Sequence, residues 1–408
     1  MGNVYDVWHE RGLIQQITHE EPLRQLLATE VVTAYVGYDA TADSLHVGHL
    51  VTIMALAHLQ RAGHRPIAVV GGGTSMVGDP SGKTEMRPML TPEEIEANKR
   101  VIRSQLGRFL DFGEGRAMMV DNAEWLLRLN YVEFLREVGP HLSVNRMLTA
   151  EAYRSRWERG LTFLEFNYMP MQAYDFLTLN RRFGCRLQMG GDDQWSNILA
   201  GVDLVRRLER QEAYGLTTPL LATASGKKMG KTEAGAVWLS AEKTSPFEFY
   251  QFWRNIEDAD VGRFLAIFTF LPMDEVRRLG GLRDRKINQA KEILAHEVTR
   301  LVHGAEEADR ARSAAQALFG GQGDAGAVPS TELPHQELSA GVTVLELMVR
   351  TGLAASKSEA RRTIQQGGLY LNGERVDDMQ LEVTADHARD GIIELRKGKK
   401  GYHHVRVC

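Results

Sequence analysis

At 408 residues the chain exceeds one ordinary domain, so two or three are expected. Hydrophobic residues at 43% and charged residues at 25% are ordinary for a soluble globular protein. A formal net charge of −4 excludes a chain coated in basic residues but not a local basic patch, and two cysteines, Cys185 and Cys408, exclude a disulfide framework or a cysteine zinc site.

The opening stretch "MGNVYDVWHERGLIQQITHEE" carries acids early and has no apolar core, so a signal peptide is not expected. Asp6 breaks the myristoylation pattern, and no run is long enough to span a membrane. The expected location is the cytoplasm, with both thiols reduced.

Residues Val31 to Tyr38, "VVTAYVGY", read as a strand. A helical pattern follows, with Leu50, Ile53, Met54, Ala57 and His58 on one side, and then a second apolar run, "PIAVVGGG", from Pro66. Strand, helix and strand in this order predict a βαβ unit and a parallel sheet. Asp43 or Ser44 is the expected N-cap of the helix, which puts "HVGH", His46 to His49, at its first turn. From Thr91 to Trp157 the pattern is mainly helical. "CRLQMGGDDQW" reads as a strand, a glycine turn and a helix start. Helical periodicity resumes from Ser245 to Phe319. Gly320 to Glu337 has the Gly, Pro and small-residue content of a flexible linker, and a compact tail follows.

Two phosphate-loop readings fail. "GDPSGKT" has one residue too few between its glycines for a Walker loop, and Pro80 lacks the N–H such a loop uses. "GGGTSM" has Met76 where a dinucleotide fold needs its third glycine. His46 and His49 have no third ligand nearby in sequence, so a metal site is not expected.

"HVGH" at a helix start and "KKMGKT", Lys227 to Thr232, together resemble the two signatures of class I aminoacyl-tRNA synthetases. Imidazoles, helix N-terminal amides and lysines suit a pyrophosphate leaving group. Gly48 leaves room for adenine and ribose against the helix backbone. Four stretches narrow the resemblance to the bacterial-type tyrosyl-tRNA synthetases over nearly the whole chain. They are "YVGYDATADSLHVGH", "GDPSGK", "YMPMQAYD" and "QMGGDDQW".

The resemblance implies that Tyr35 and Asp175 hold the phenol hydroxyl of tyrosine, and that Tyr168, Gln172 and Asp79 take its ammonium group, with Gln188 and Gln194 also at the substrate. Gly37, Asp39, Gly191 and Asp193 would lie along the adenylate, as would Gly48, His49 and Thr52. Thr41, His46, Lys83, Arg87, Lys228 and Lys231 match phosphate-holding positions, with Thr232 closing the second signature. Independently of the family, Tyr168, Gln172 and Asp175 lie four and three apart and share a helix face, a polar trio expected of a pocket rather than a core. Pro170 falls in the first turn of that helix, where its missing N–H has no intrahelical partner. The sequence departs from the usual pattern at Ala40, where proline is common, and at "KMGKT", where Lys-Met-Ser-Lys-Ser is usual.

The tail from Leu345 resembles a small RNA-binding module shared with a ribosomal protein, with Lys357, Arg361, Arg362 and Arg375 as its phosphate contacts. The fold class expected is therefore α/β: a Rossmann-like parallel-sheet catalytic domain over 1–240 with a helical insertion, an α-helical anticodon-recognition domain over 241–319, a linker over 320–340 and a small α+β RNA-binding domain over 341–408. The implied partners are L-tyrosine, ATP with its Mg²⁺, tRNA and a second copy of the chain. A tryptophanyl enzyme is the near rival, opposed by Tyr35, Asp175 and the tail. A non-catalytic RNA-binding protein is the distant one, opposed by the intact signatures.

Overall fold

The computed structural model describes residues 2–81, 85, 89–157, 159–224, 226, 229–232, 235–320, 328–339, 341–398 and 401–408. The candidates Lys83, Arg87 and Lys228 lie outside the described residues, and Lys231 and Thr232 are described by their backbone alone. Two units emerge, residues 1–243 with 256–294, and residues 244–255 with 295–408.

The first unit is built on a six-stranded sheet of β1 (Gln16–Ile17), β2 (Thr33–Asp39), β3 (Arg65–Gly71), β4 (Met118–Asp121), β5 (Cys185–Gly191) and β6 (Tyr214–Thr218). Their order is β1-β6-β5-β2-β3-β4, with β1 antiparallel to β6 and the rest parallel. The apolar runs that mark β2 and β3 are continuous rather than alternating because helices cover both faces of a parallel sheet. The chain moves outward from β2 through β3 to β4, then returns to lay β5 on the other side of β2. That reversal opens a crevice at the carboxyl ends of β2 and β5, where ligands of open α/β sheets bind.

The helix Leu50–Arg61 is buried from Leu50 through Leu59, which accounts for its nearly all-apolar sequence. It starts differently from expectation. Neither Asp43 nor Ser44 caps it; a single 3₁₀ turn, Val47–His49, precedes it, and His46 is the cap, its Nδ1 accepting from Gly48 N. Ser44 is instead buried and occupied, accepting from Gln105 Nε2 at 2.9 Å. Imidazole does here what a short acid or hydroxyl does elsewhere.

The helix Pro92–Leu106 begins on a reciprocal Thr91–Glu94 capping box with proline at its first position. The helix Tyr168–Phe183 ends at Gly184, whose φ of +62° places the chain in the left-handed region just before β5. Arg11 donates to the carbonyls of Ala266, Thr269 and Leu271, satisfying the free end of the helix Val261–Phe268.

The second unit holds the helices Pro246–Arg254 and Ala305–Gly320, followed by a five-stranded sheet. Its strands run Glu374–Arg375, Leu369–Leu371, Ile392–Lys397, Gly401–Val407 and Ser330–Leu333, the last pair parallel. The helices Val344–Arg350 and Lys357–Gln365 contribute Leu345, Leu347, Met348 and Ile364 to a core shared with Leu369, Ile393 and Leu395. Residues 330–339 were expected within a linker, but they form the strand Ser330–Leu333 and the helix His335–Ser339. Leu333 joins the core and His335 N donates to Cys408 O at 2.7 Å, gains that outweigh the segment's poor local propensity.

Candidate active site

β2 and the first turn after it carry the first group of candidates. Tyr35 points into the layer formed by Phe176, Ile67 and Val69, its ring centroid 5.5 Å from that of Phe176. Only 2% of it is exposed, and its hydroxyl has no hydrogen-bond partner among the described residues. Burial, the Asp175 charge and Cys185 together push that phenol well above its ordinary range. Gln188 faces Tyr35 across the β2–β5 register and is equally buried, its Oε1 also unpartnered among the described residues. Two polar atoms left unpaired in one apolar layer are costly, and they mark a place built for something else to touch.

Asp175 lies on the neighbouring helix, 4% exposed. Its carboxylate accepts from Trp125 Nε1 at 2.7 Å and from Asn122 Nδ2 at 2.9 Å. Burial pushes its pKa up to about 7; the two donors pull it down, and the Asp39 and Asp121 charges add to the rise. Asn122 also donates to Thr74 Oγ1, and Gly73 N donates to its Oδ1 at 2.7 Å, so one amide ties the turn after β3 to the acid.

Tyr168 donates to Asp39 Oδ2 at 2.8 Å, and Thr74 Oγ1 donates to Asp39 Oδ1 at 2.7 Å. Gly71 is required beside this pair, since a Cβ there would run into Asp39 Oδ1. Asp79 accepts from Gln194 Nε2 at 2.6 Å, and Asn197 Nδ2 donates to Gln194 Oε1 at 3.1 Å and to Gln172 Oε1 at 3.3 Å. Gln172, Gln194 and Asp79 thus belong to one network. Gly37 and Gly191 sit in β2 and β5, Thr41 follows β2, and Asp193 is exposed in the turn Asp192–Gln194.

At the helix start, His46 N donates to His49 Nδ1 at 3.1 Å, while His46 Nδ1 accepts from Gly48 N at 3.0 Å. With both Nδ1 atoms accepting, each ring carries its proton on Nε2. Two imidazole N–H donors thus lie at a helix start, an arrangement that suits a polyanion. The rings lie 4.0 Å apart by centroid. A Cβ at Gly48 would come within 2.8 Å of His46 Cε1, so Gly48 is needed first by the histidine itself. Thr52 donates to His49 O at 3.0 Å and lies 3.4 Å from the Tyr38 hydroxyl. The backbone of the second signature approaches the same turn. Gly230, at φ +91°, would bring a Cβ within 3.0 Å of Val47 Cγ2.

The sequence missed Asn122, Trp125, Thr74 and Asn197. "DNAEW" does carry a signal, an amide and an indole just past a short strand, but its partners are fixed only by the sheet order. In the second unit, Arg361 and Arg362 are exposed on the helix Lys357–Gln365. Lys357 lies 3.7 Å from Glu346, and Arg375, after the left-handed Asn372–Gly373 turn, pairs with Asp377 at 2.8 Å.

Comparison with known proteins agrees with this geometry. The family model described as tRNA synthetases class I (W and Y) matches residues 27–320, and that of the tyrosine–tRNA ligase SYY-like C-terminal domain matches residues 322–405. A tyrosine–tRNA ligase of Clostridium botulinum is 58% identical over 408 residues, covering 100% of both chains. That of Caldanaerobacter subterraneus subsp. tengcongensis is 58% identical over 99% of each. The crystal structure of a C-terminally truncated mitochondrial tyrosyl-tRNA synthetase from Aspergillus nidulans superposes with a TM-score of 0.71 at 32% identity, covering 78% of this chain and 95% of that one. The chain belongs to the tyrosine–tRNA ligases, within the class I tRNA synthetases.

Proposed function

We propose that the chain activates L-tyrosine with ATP, giving tyrosyl-adenylate and pyrophosphate, and then transfers the tyrosyl group to the 3′ end of tRNA(Tyr). The observation that carries this reading is a buried hydroxyl and a buried carboxylate, Tyr35 in β2 and Asp175 on the neighbouring helix, with the Nε2–H tautomers of His46 and His49 at the helix start that follows β2.

The phenol hydroxyl of the substrate sits between Tyr35 and Asp175, and Asp79, Tyr168 and Gln172 surround its ammonium group, with Gln188 and Gln194 alongside. Phenylalanine leaves the Tyr35 hydroxyl unpaired and brings Asp175 no hydroxyl donor, so it is rejected. Adenylate and ribose lie along Gly37, Asp39, Gly48, His49, Thr52, Gly191 and Asp193. A carboxylate oxygen of tyrosine attacks the α-phosphorus, the bond to pyrophosphate breaks, and the electron pair leaves with it. No covalent nucleophile is needed; positioning and charge stabilisation lower the barrier. Thr41, His46, Lys83, Arg87, Lys228 and Lys231 take the phosphates, with Thr232 beside the last lysine. Mg²⁺ enters as the counter-ion of ATP.

The protein acts as a cytoplasmic homodimer, its residues 1–240 catalytic, 241–319 helping to read the anticodon, and 341–408 gripping RNA through Lys357, Arg361, Arg362 and Arg375. Tyr131, Val132 and Leu135 are exposed on the one helix Tyr131–Glu137, which supports a partner subunit there. ATP–pyrophosphate exchange with tyrosine, phenylalanine and tryptophan side by side tests the reading. Exchange driven by tryptophan and not by tyrosine would overturn it.

A further inference from the structure

Residues 237–243, just past the second signature, run back along residues 43–47. Val47 N donates to Val237 O at 3.0 Å, Leu239 N to Leu45 O at 2.8 Å, and Ser240 N to Ser44 Oγ at 3.2 Å. Lys243 pairs with the Asp43 carboxylate at the far end. This crossing sets Trp238 opposite His46 as an antiparallel bridge. The indole meets the imidazole edge to face, with centroids 6.1 Å apart and planes inclined by 65°. The Lys243 ammonium covers the indole, 4.6 Å from the ring centroid.

The Gly48 amide fixes which nitrogen of His46 holds the proton, and the His49 ring lies 4.0 Å away by centroid. The tilted indole adds a restraint on the plane of the imidazole, because edge and face attract only in a narrow range of orientations. A cation over the indole, itself tied down by Asp43, holds the neighbour in place. We propose that Trp238, braced by Lys243, is a positioning residue that fixes the plane of the His46 ring and so aims its Nε2–H at the departing phosphates. The proposal rests on the reading of His46 as a phosphate ligand. It also gives the second signature a mechanical route to the first, because Val237 N donates to Gly230 O at 2.9 Å.

The test is ATP–pyrophosphate exchange with the full chain, using Trp238→Ala, Trp238→Phe and Lys243→Met, each made alone and together with His46→Ala. Trp238→Ala is expected to lower kcat about tenfold, since small misplacements of reacting groups cost that much or more, while KM for tyrosine stays put. Trp238→Phe should recover most of the loss, and Lys243→Met should lose a smaller part. In the His46→Ala background Trp238→Ala should cost nothing further. An equal fold-loss in both backgrounds, or a rise in tyrosine KM parallel to the fall in kcat, overturns the role of Trp238 while leaving His46 its own. A silent His46→Ala overturns the phosphate reading instead. Thermal melts on each variant guard against misfolding. If Trp238→Ala melts early, Lys243→Met carries the same cycle, and its failure to couple with His46→Ala overturns the proposal.

Discussion

Trp125 Nε1 donates to the Asp175 carboxylate at 2.7 Å, and that bond with its Asn122 companion is what a fully buried acid receives in place of water. Burial still dominates, leaving a pKa of about 7 against about 3.9 for a free aspartate. Well below pH 4 the group is protonated folded and unfolded, and it costs nothing. As pH rises towards 7 the unfolded chain releases its proton first, so the folded state loses stability across that window and stays penalised above it. Asp175→Asn is expected to raise the melting temperature clearly at pH 8 and hardly at all at pH 4, while abolishing tyrosine-dependent exchange. Calorimetric scans at the two pH values check the first half. A gain that is the same at both would contradict the assignment.

The Tyr35 hydroxyl, buried and unpartnered, should behave likewise on a smaller scale. Removing it in Tyr35→Phe relieves a desolvation penalty of about 1–3 kcal/mol in the free protein. The variant is expected to be the more stable to urea, to bind tyrosine less tightly, and to discriminate less between tyrosine and phenylalanine in exchange.

Lys99 and Asp121 form a buried ion pair behind the turn that carries Asn122. Lys99→Met strands a buried carboxylate, which costs about 3–5 kcal/mol. The urea midpoint should fall accordingly, and Lys99→Met with Asp121→Asn should recover much of it. A double variant no better than the single would show that the lysine matters for packing alone.

Arg361 and Arg362 are exposed on one helix of the tail. Replacing both by alanine should leave exchange untouched, weaken tRNA charging at low tRNA concentration, and reduce the slope of log affinity against log salt by about 2, one for each lost phosphate contact. An unchanged slope would remove them from the RNA-binding surface.

Elements whose signal is local were legible in the sequence. β2 is a β-rich run, β3 and β5 end in glycine, and the trio Tyr168, Gln172 and Asp175 is visible from spacing alone. What escaped depends on order in space. Asn122 and Trp125 matter because β4 lies beside β3, a neighbour relation that no window of sequence contains. The cap of the first-signature helix escaped because histidine is a rare substitute for serine or aspartate there. The strand Ser330–Leu333 escaped because its partner, Gly401–Val407, lies at the other end of the tail. Glycine and proline nearby made the segment read as pure connection.

That parallel pairing brings the entrance of the tail's sheet alongside Val407 and Cys408. Cys408 is exposed, whereas Cys185, the other cysteine of the chain, is sealed inside the first unit. A thiol-directed dye would therefore attach at one spot, next to the strand by which the polypeptide enters its last fold, and its emission would follow that module when tRNA arrives without any residue having been engineered.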